Sequence, residues 1–369
     1  MRVIVTGGGT GGHIYPALAI AKALLTRING VEVLYVGTRN GMEAKLVPAN
    51  GLEFKGISGK GFKRSFSLDT FKTVGTTFKA AWETKKILKD FKPDLVVGTG
   101  GYVSGPVVFI AAFFGIPTLL HEQNALPGKT NKILAKVVKQ VMVSFPESIS
   151  YFSNKEKIQV VGLPVREDIG QIKRKDGAAV FGLDPGKKTL LVTGGSRGAL
   201  SINNAMLEIL PKLADYSDIQ LIWATGSATY QTVLEKLQKL NINWQRPEWR
   251  VMEYVQEMPA ALACSDLCIC RAGATTLAEL SAAGKPAILI PYPYAAENHQ
   301  EYNARAFENA GAAEVILDKE LNGKILWQLV QKLIFNPFKL EEMSHRAAEV
   351  FKPGALDRII NLCLQTAWR

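Results

Sequence analysis

The sequence predicts an α/β chain made of two doubly wound parallel-sheet domains. Three observations carry this. A chain of 369 residues is too long for one ordinary core at roughly 100–200 residues per domain. Short Val/Ile/Leu runs alternate with helix-length segments, the pattern of parallel strands covered on both faces. The two halves also open alike: Val5-Thr6-Gly7-Gly8-Gly9-Thr10-Gly11-Gly12 in the first, Val192-Thr193-Gly194-Gly195-Ser196-Arg197-Gly198-Ala199 in the second.

The first series of strands is expected at Val3–Thr6, Glu32–Val36, Leu95–Gly98, Thr118–Leu120, Val141–Ser144 and Gln159–Gly162. The second is expected at Thr189–Thr193, Gln220–Thr225, Arg250–Tyr254, Leu267–Cys270, Ala287–Pro291 and Glu314–Leu317. Each series has the length of one doubly wound domain. The join falls at Gly162-Leu163-Pro164-Val165, which gives domains over 1–162 and 163–338. Residues 339–369 read as C-terminal helices packing back toward the N-terminal domain. Asp94 to Glu122 encloses no charged residue, a membrane-length stretch. Gly98, Gly100, Gly101, Gly105, Pro106, Gly115 and Pro117 cut it into a strand, a glycine loop, a short buried helix over Val107–Phe114 and a second strand. No spanning helix and no signal peptide is expected.

Composition is globular, at 47% hydrophobic and 21% charged. Of the four cysteines, Cys264, Cys268 and Cys270 crowd one segment without paired C-x2-C units or a histidine cluster, so neither a disulfide framework nor a zinc site is expected. A reducing, cytoplasmic compartment fits. The net charge of +11 lies entirely in the first half: residues 1–162 carry 21 Lys and Arg against 10 Asp and Glu, and the remainder is balanced. Lys55–Lys92 holds ten bases against Asp69, Glu83 and Asp90. So local an excess points to an anionic partner: nucleic acid, acidic lipid or a phosphate-rich substrate.

A glycine loop between a parallel strand and a helix turns backbone N–H groups and the helix dipole toward an anion. Gly7, Gly9 and Gly12 satisfy G-x-G-x-x-G, but the second strand ends Val36-Gly37-Thr38-Arg39, without the acid that would hold a dinucleotide ribose. Two such loops at equivalent places favour phosphate chemistry over an empty turn. His13 follows the first loop at a helix start, where a neutral imidazole can take a proton from a hydroxyl. His121-Glu122-Gln123-Asn124 directly follows an apolar strand. These four residues are costly to bury without partners and are expected to line a cleft; the alternative is a closed hydrogen-bond network tying loops together. Arg271-Ala272-Gly273-Ala274-Thr275-Thr276 opens another helix, with Glu279 one turn in. Glu297 to Asn303 is amide-rich and suits a sugar or a solvated helix start. D-x-D, H-E-x-x-H, G-x-S-x-G and Walker motifs are absent, so metal-bridged diphosphate, zinc or serine hydrolysis and Walker-type ATP use are unsupported.

Five collinear blocks together resemble one family. They are Gly8–His13 with Pro16-Ala17-Leu18-Ala19, Gly100-Gly101-Tyr102-Val103-Ser104-Gly105-Pro106, His121–Asn124, Gly194-Gly195-Ser196, and Arg271–Glu279. The chain is similar to the MurG-type peptidoglycan glucosaminyltransferases over nearly its whole length. Arg197 and Ala272 depart from the family's usual Gln and Ser. The resemblance implies a GT-B architecture, two Rossmann-like domains facing an interdomain cleft. It implies inverting transfer of N-acetylglucosamine from UDP-GlcNAc to the 4-hydroxyl of MurNAc in undecaprenyl-diphosphate-linked MurNAc-pentapeptide, with no metal and no cofactor. Site roles follow from it position by position. Thr10, Gly11, Gly12 and Asn124 approach the donor from the first domain. Arg166 and Ser196 meet the diphosphate or sugar. The Val255 backbone reads uracil, Ala274, Thr275 and Thr276 open the donor helix, Glu279 takes the ribose hydroxyls and Gln300 those of the sugar. Gly100, Gly101, Tyr102 and Ser104 form the acceptor loop. His13 is the expected base, with Glu122 its rival. A different UDP-sugar glycosyltransferase or a UDP-GlcNAc epimerase of similar architecture is the alternative.

That acceptor gives the basic half a reason. Leu68, Phe71, Gly75, Phe78 and Trp82 recur at helical spacing, surrounded by Lys63, Arg64, Lys72 and Lys79. The segment is either a helix packed on the sheet or a face docking on an anionic membrane. The resemblance favours docking, at the cytoplasmic face of the bacterial membrane, with no nucleic-acid partner.

Overall fold

The computed structural model describes residues 1–59, 69–350 and 352–368, with the backbone alone for 69–78. The chain divides into two compact units: Met1–Pro164 with Lys352–Arg369, and Val165–Phe351.

The first unit runs β1 (Arg2–Thr6), α1 (Gly11–Arg27), β2 (Glu32–Thr38), α2 (Glu43–Ala49), β3 (Glu53–Ile57), α3 (Asp69–Phe91), β4 (Leu95–Gly98), α4 (Ser104–Phe113), β5 (Thr118–Glu122), α5 (Lys129–Leu134), β6 (Gln140–Val143) and β7 (Ile158–Val160). Its sheet has the order β3-β2-β1-β4-β5-β6-β7, all parallel. The order reverses beside β1, where β4 takes the other flank. Ligands of open α/β sheets bind at such a switch point, outside the strand C-termini.

The second unit runs α6 (Arg174–Val180), β8 (Lys188–Thr193), α7 (Leu200–Leu213), β9 (Ile219–Ala224), α8 (Tyr230–Lys239), β10 (Trp249–Met252), α9 (Met258–Cys264), β11 (Leu267–Cys270), α10 (Ala274–Ala282), β12 (Ala287–Leu289), α11 (His299–Asn309), β13 (Ala313–Val315), α12 (Gly323–Ile334) and α13 (Pro337–Val350). Its parallel sheet, β10-β9-β8-β11-β12-β13, repeats the first order with one strand fewer. The last helix, α14 (Ala355–Ala367), belongs to the first unit.

Both sheets bury nearly continuous apolar strands, as two-sided cover requires. In the first unit α1 lays Ile14, Ala17, Leu18, Ile20, Ala21 and Leu24 on one sheet face, joined there by Ile359, Ile360, Leu362 and Cys363 of α14. Arg358 holds that helix in place, its Nε and Nη2 donating to Val161 O at 3.1 and 2.7 Å. The opposite face is covered by Ala80 and Leu88 of α3, Val107, Val108 and Ala111 of α4, and Leu134 of α5. In the second unit α7 and α12 carry most of the core against β8 and β9, around the fully buried Trp223.

Three sequence expectations differ from the structure. First, β3 was not among the expected strands. Glu-Phe-Lys-Gly-Ile pairs only with β2 and carries a glycine, so it has an edge strand's mixed pattern. Second, of the helices from residue 339 only α14 packs back on the first unit, on α1, β4 and β5, whereas α13 packs on α10 and α12. Third, α4 is not a fully buried helix. It begins at Ser104 and exposes Phe109 and Phe113, followed by exposed Phe114. Of the two readings of the α3 stripe, Trp82 goes against packing on the sheet: it is 67% exposed while Ala80, Glu83, Thr84 and Leu88 are buried, so it faces away from the sheet. Glu83 turns inward because Arg39 Nη2 (2.8 Å) and the Ser58 amide (2.5 Å) donate to it. Lys63 and Arg64 lie outside the described residues, as do the side chains of Phe71, Lys72 and Phe78; Lys79 is exposed.

Candidate active site

In the first unit three loops meet at the C-terminal ends of β1, β4 and β5. The β1–α1 loop, Gly7 to Thr10, passes so close to the β4–α4 loop that a Cβ on Gly101 (φ +80°) would lie 2.1 Å from Gly8 O. Ser104 locks the second loop, its hydroxyl donating to Gly100 O at 2.7 Å and Thr6 O at 3.0 Å. The Tyr102 ring covers Gly9. Sequence reasoning missed Glu43. Its carboxylate is buried at the start of α2 and accepts from Thr38 N (3.0 Å), Thr38 Oγ1 (2.5 Å) and Gly9 N (3.4 Å), tying the glycine loop to β2. The signal available was an acid following the bend-prone Gly37 and Gly41, where any Cβ would run into its side chain.

His13, half-buried in the first turn of α1, brings Nδ1 to 3.0 Å from Thr99 O and 3.0 Å from Gln123 Oε1. Both partners are acceptors, so Nδ1 carries the proton and the Nε2 lone pair stays available. Neither α1 nor α10 has a side-chain cap at its N-terminus or an acid in its first turn, which leaves the first amides of each helix to an anion.

His121, Glu122 and Gln123 are fully buried and bonded within the unit rather than lining an open surface. The structure extends β5 to Glu122, and strand side chains there point into the core. Glu122 accepts four hydrogen bonds: Asn124 N (2.9 Å) and Asn124 Nδ2 (3.1 Å) on Oε1, Gly128 N (3.1 Å) and Asn131 Nδ2 (2.7 Å) on Oε2. All its lone-pair positions are taken, so it organises the loop into α5 and is poorly placed to take a proton. Burial pushes the His121 imidazole down to about 4, which keeps it neutral near pH 7.

In the second unit the loop after β8 mirrors the first. A Cβ on Gly198 (φ +82°) would lie 2.1 Å from Thr225 O at the end of β9. Ser196 and Arg197 stand exposed on this loop. Arg166 and Glu279 lie near enough to interact electrostatically. Burial raises the Glu279 carboxyl to about 7; Arg166 opposes that rise and Asp168 adds to it. Gln300 Oε1 accepts from Tyr292 N at 3.0 Å, leaving its amide N–H groups for a ligand. Val255 is buried, and Ala274, Thr275 and Thr276 form the first turn of α10.

Arg271 does not present its charge outward. It pairs with Asp318 and donates to Ser201 Oγ at 3.0 Å and Ile290 O at 3.1 Å, binding strand ends together. The thiols of Cys264 and Cys268 are pushed up to about 11 by burial, so both are unreactive packing groups. Among the described residues no cluster of three His, Cys, Asp or Glu could hold a metal ion.

Residues 3–143 match the glycosyltransferase family 28 N-terminal domain, and residues 189–359 its C-terminal domain. A UDP-N-acetylglucosamine–N-acetylmuramyl-(pentapeptide) pyrophosphoryl-undecaprenol N-acetylglucosamine transferase of Desulfitobacterium hafniense is 64% identical, with all of both chains covered. A protein of the same name from Moorella thermoacetica is 47% identical over 99% of each chain. Among solved structures, MurG of Acinetobacter baumannii superposes with a TM-score of 0.79 at 30% identity, over 99% of each chain. A UDP-GlcNAc 2-epimerase of Neisseria meningitidis shares the fold alone, at 17% identity and a TM-score of 0.67.

Proposed function

The chain belongs to the MurG family of UDP-GlcNAc-dependent N-acetylglucosaminyltransferases, and we propose that in its reaction His13 takes the acceptor's proton while Arg166 and Glu279 hold the donor. The enzyme is a GT-B glycosyltransferase of peptidoglycan synthesis. It transfers N-acetylglucosamine from UDP-GlcNAc to undecaprenyl-diphosphate-linked MurNAc-pentapeptide, converting lipid I to lipid II.

In the displacement, the MurNAc 4-hydroxyl gives its proton to His13 Nε2 as its oxygen bonds to the anomeric carbon. The bond from that carbon to the diphosphate oxygen breaks, and its electron pair leaves with UDP. Arg166, Ser196 and the uncapped amides of α10 at Ala274, Thr275 and Thr276 offset the charge that grows on the diphosphate. Glu279 accepts from the ribose hydroxyls, Gln300 serves the sugar, and the Val255 backbone reads uracil. Thr10, Gly11, Gly12 and Asn124 complete the donor's surroundings, and the loop from Gly100 to Ser104 receives the acceptor. His13 is preferred to Glu122 on one observation: Nδ1 faces two carbonyl oxygens, which leaves Nε2 as the lone pair, whereas Glu122 already accepts four donors. The test is turnover of UDP-GlcNAc with a soluble lipid I analogue. His13→Ala should lower kcat by ~10²–10⁴, the contribution of general base catalysis. An undiminished kcat would remove His13 from the role, and UDP release without acceptor would point to epimerase-type chemistry.

The same unit docks on anionic lipid at the cytoplasmic face of the membrane. No helix among the described residues is long and apolar enough to cross one. Support comes from the exposed aromatic surface of the packed pair α3 and α4: Trp82, Phe109, Phe113 at 76% exposure, and Phe114. Lys85 Nζ stands 5.6 Å from the Phe114 ring centre, and Lys79 is exposed on the same helix. Apolar side chains ringed by bases are suited to an interface with acidic headgroups.

A further inference from the structure

We propose that Gln123 is a positioning residue, the link that fixes the His13 imidazole as the Nδ1–H tautomer by passing a hydrogen-bond polarity from the backbone at Gly162. This rests on the reading of His13 as the base and extends it to how that base is held.

The chain of bonds admits one direction. Gly162 O can only accept, so His121 Nε2, 3.0 Å away, donates. His121 Nδ1 is then an acceptor. The group facing it at 3.1 Å is the Gln123 amide nitrogen, which also donates to His121 O at 2.9 Å. That fixes the amide's orientation and leaves Oε1 as the atom 3.0 Å from His13 Nδ1. An oxygen there accepts, so His13 Nδ1 must carry hydrogen, and Thr99 O accepts from the same atom at 3.0 Å. Reversing the amide would set N–H against the nitrogen that must donate and a carbonyl oxygen against His121 O. Both contacts would be repulsive in a site where Gln123 is 1% exposed and His121 fully buried. The wrong tautomer of His13 is therefore penalised, and its Nε2 is kept as the lone pair.

The other titratable groups nearby leave this chain intact. Glu122 spends its oxygens on Asn124, Gly128 and Asn131. Glu43 spends its own on Thr38 and Gly9. Tyr102 lies over Gly9, and Tyr35 donates to Gly7 O at 2.7 Å. None touches an imidazole nitrogen of His13 among the described bonds.

The experiment has two arms. The first uses the unaltered protein. With four histidines in the chain, ¹⁵N-histidine spectra at pH 7.5, assigned by loss of one signal in His13→Ala, read both tautomers directly. Nδ1–H on His13 with Nε2–H on His121 is expected; Nε2–H on His13 overturns the proposal. The second arm compares Gln123→Leu and Gln123→Glu with His13→Ala on a soluble acceptor analogue. Gln123→Leu should lose ~10- to 100-fold in kcat with the UDP-GlcNAc KM within about twofold, since a wrong tautomer alone can cost more than this in other enzymes. Gln123→Glu should move the acidic limb of kcat/KM to higher pH by ~1 unit or more, because a carboxylate against Nδ1 favours the imidazolium. An unchanged kcat and pH profile in the folded Gln123 variants, with His13→Ala inactive, overturns the positioning role and leaves His13 as base. Full activity of His13→Ala overturns the base reading itself.

Discussion

The Arg166 guanidinium meets the Asp168 carboxylate as a fork, with Nε 3.1 Å from Oδ1 and Nη2 2.7 Å from Oδ2. Both side chains are about half exposed, so the pair adds only ~0–1 kcal/mol to stability. In the donor-binding role proposed for Arg166, its value lies in aim: the pair holds the guanidinium in one plane, with Nη1 left to meet a diphosphate. Arg166→Ala should therefore lower kcat/KM for UDP-GlcNAc by ~10- to 100-fold, as expected for a charge-assisted hydrogen bond of ~1.5–3 kcal/mol. The melting temperature should move little. Steady-state kinetics beside a thermal melt checks this, and a large drop in stability with intact KM would reassign Arg166 to structure.

Glu279 makes the enzyme sensitive to pH in two ways. Its carboxyl is raised from 4.5 to about 7 in the folded chain. Between those values the folded state holds a proton that the unfolded state has released, so this group's contribution to stability declines as pH rises from about 4.5 to 7. Above that window the penalty is complete, at most ~3.5 kcal/mol. Glu279→Gln should remove the slope and be the more stable protein at pH 8, measured by denaturant unfolding at several pH values. Donor binding should run the other way. An ionised carboxylate accepts both ribose hydroxyls, so the UDP-GlcNAc KM should fall as pH rises through about 7, and that dependence should vanish in Glu279→Gln.

Glu122→Ala and His13→Ala should fail differently. Removing Glu122 orphans the amides of Asn124, Gly128 and Asn131 in a buried place, so ~2–4 kcal/mol of stability should go. His13→Ala should keep its fold and lose its rate. Chemical denaturation of both variants separates them; a stable but inactive Glu122→Ala would restore Glu122 as a candidate base.

Trp82→Ser and Phe113→Ser should cost little stability, because exposed substitutions usually stay within ~0.5 kcal/mol. Each should weaken binding to vesicles of acidic phospholipid by up to ~1.5–3 kcal/mol, the value of burying such a side chain. Binding of the parent protein should fall as salt rises, since screening shortens the reach of exposed charges to ~8 Å at physiological ionic strength. Co-sedimentation at several salt concentrations measures both. Unchanged vesicle binding in the two variants would place the docking surface elsewhere.

The sequence made the second unit's sheet legible strand by strand, because each of its strands is an apolar run between turn signals. It hid β3, whose edge position leaves it mixed and glycine-bearing. The spacing of Phe71, Phe78 and Trp82 gave an apolar stripe without saying which way it faced. The buried contacts of Ala80, Thr84 and Leu88 turn Trp82 outward. In the site, the glycine loops and His13 were legible as local signatures. Gln123 was not: its role depends on His13, 110 residues earlier, and on Gly162 beyond His121. Glu122 read as a rival base because a carboxylate at a strand end is ambiguous until its donors are counted.

Because α14 closes the core of the first unit, that unit is finished by a helix synthesised after the whole of the second. Met1–Pro164 leaves the ribosome with the seat for Ile359, Ile360, Leu362 and Cys363 uncovered, and it waits while all of Val165–Phe351 is translated. The first half must therefore pass through a partly open state in the cell, with β7 and the backbone at Val161 still without Arg358. A fragment cut at Pro164 would stay in that state permanently, whereas the same fragment supplied with α14 as a separate peptide would have the means to close.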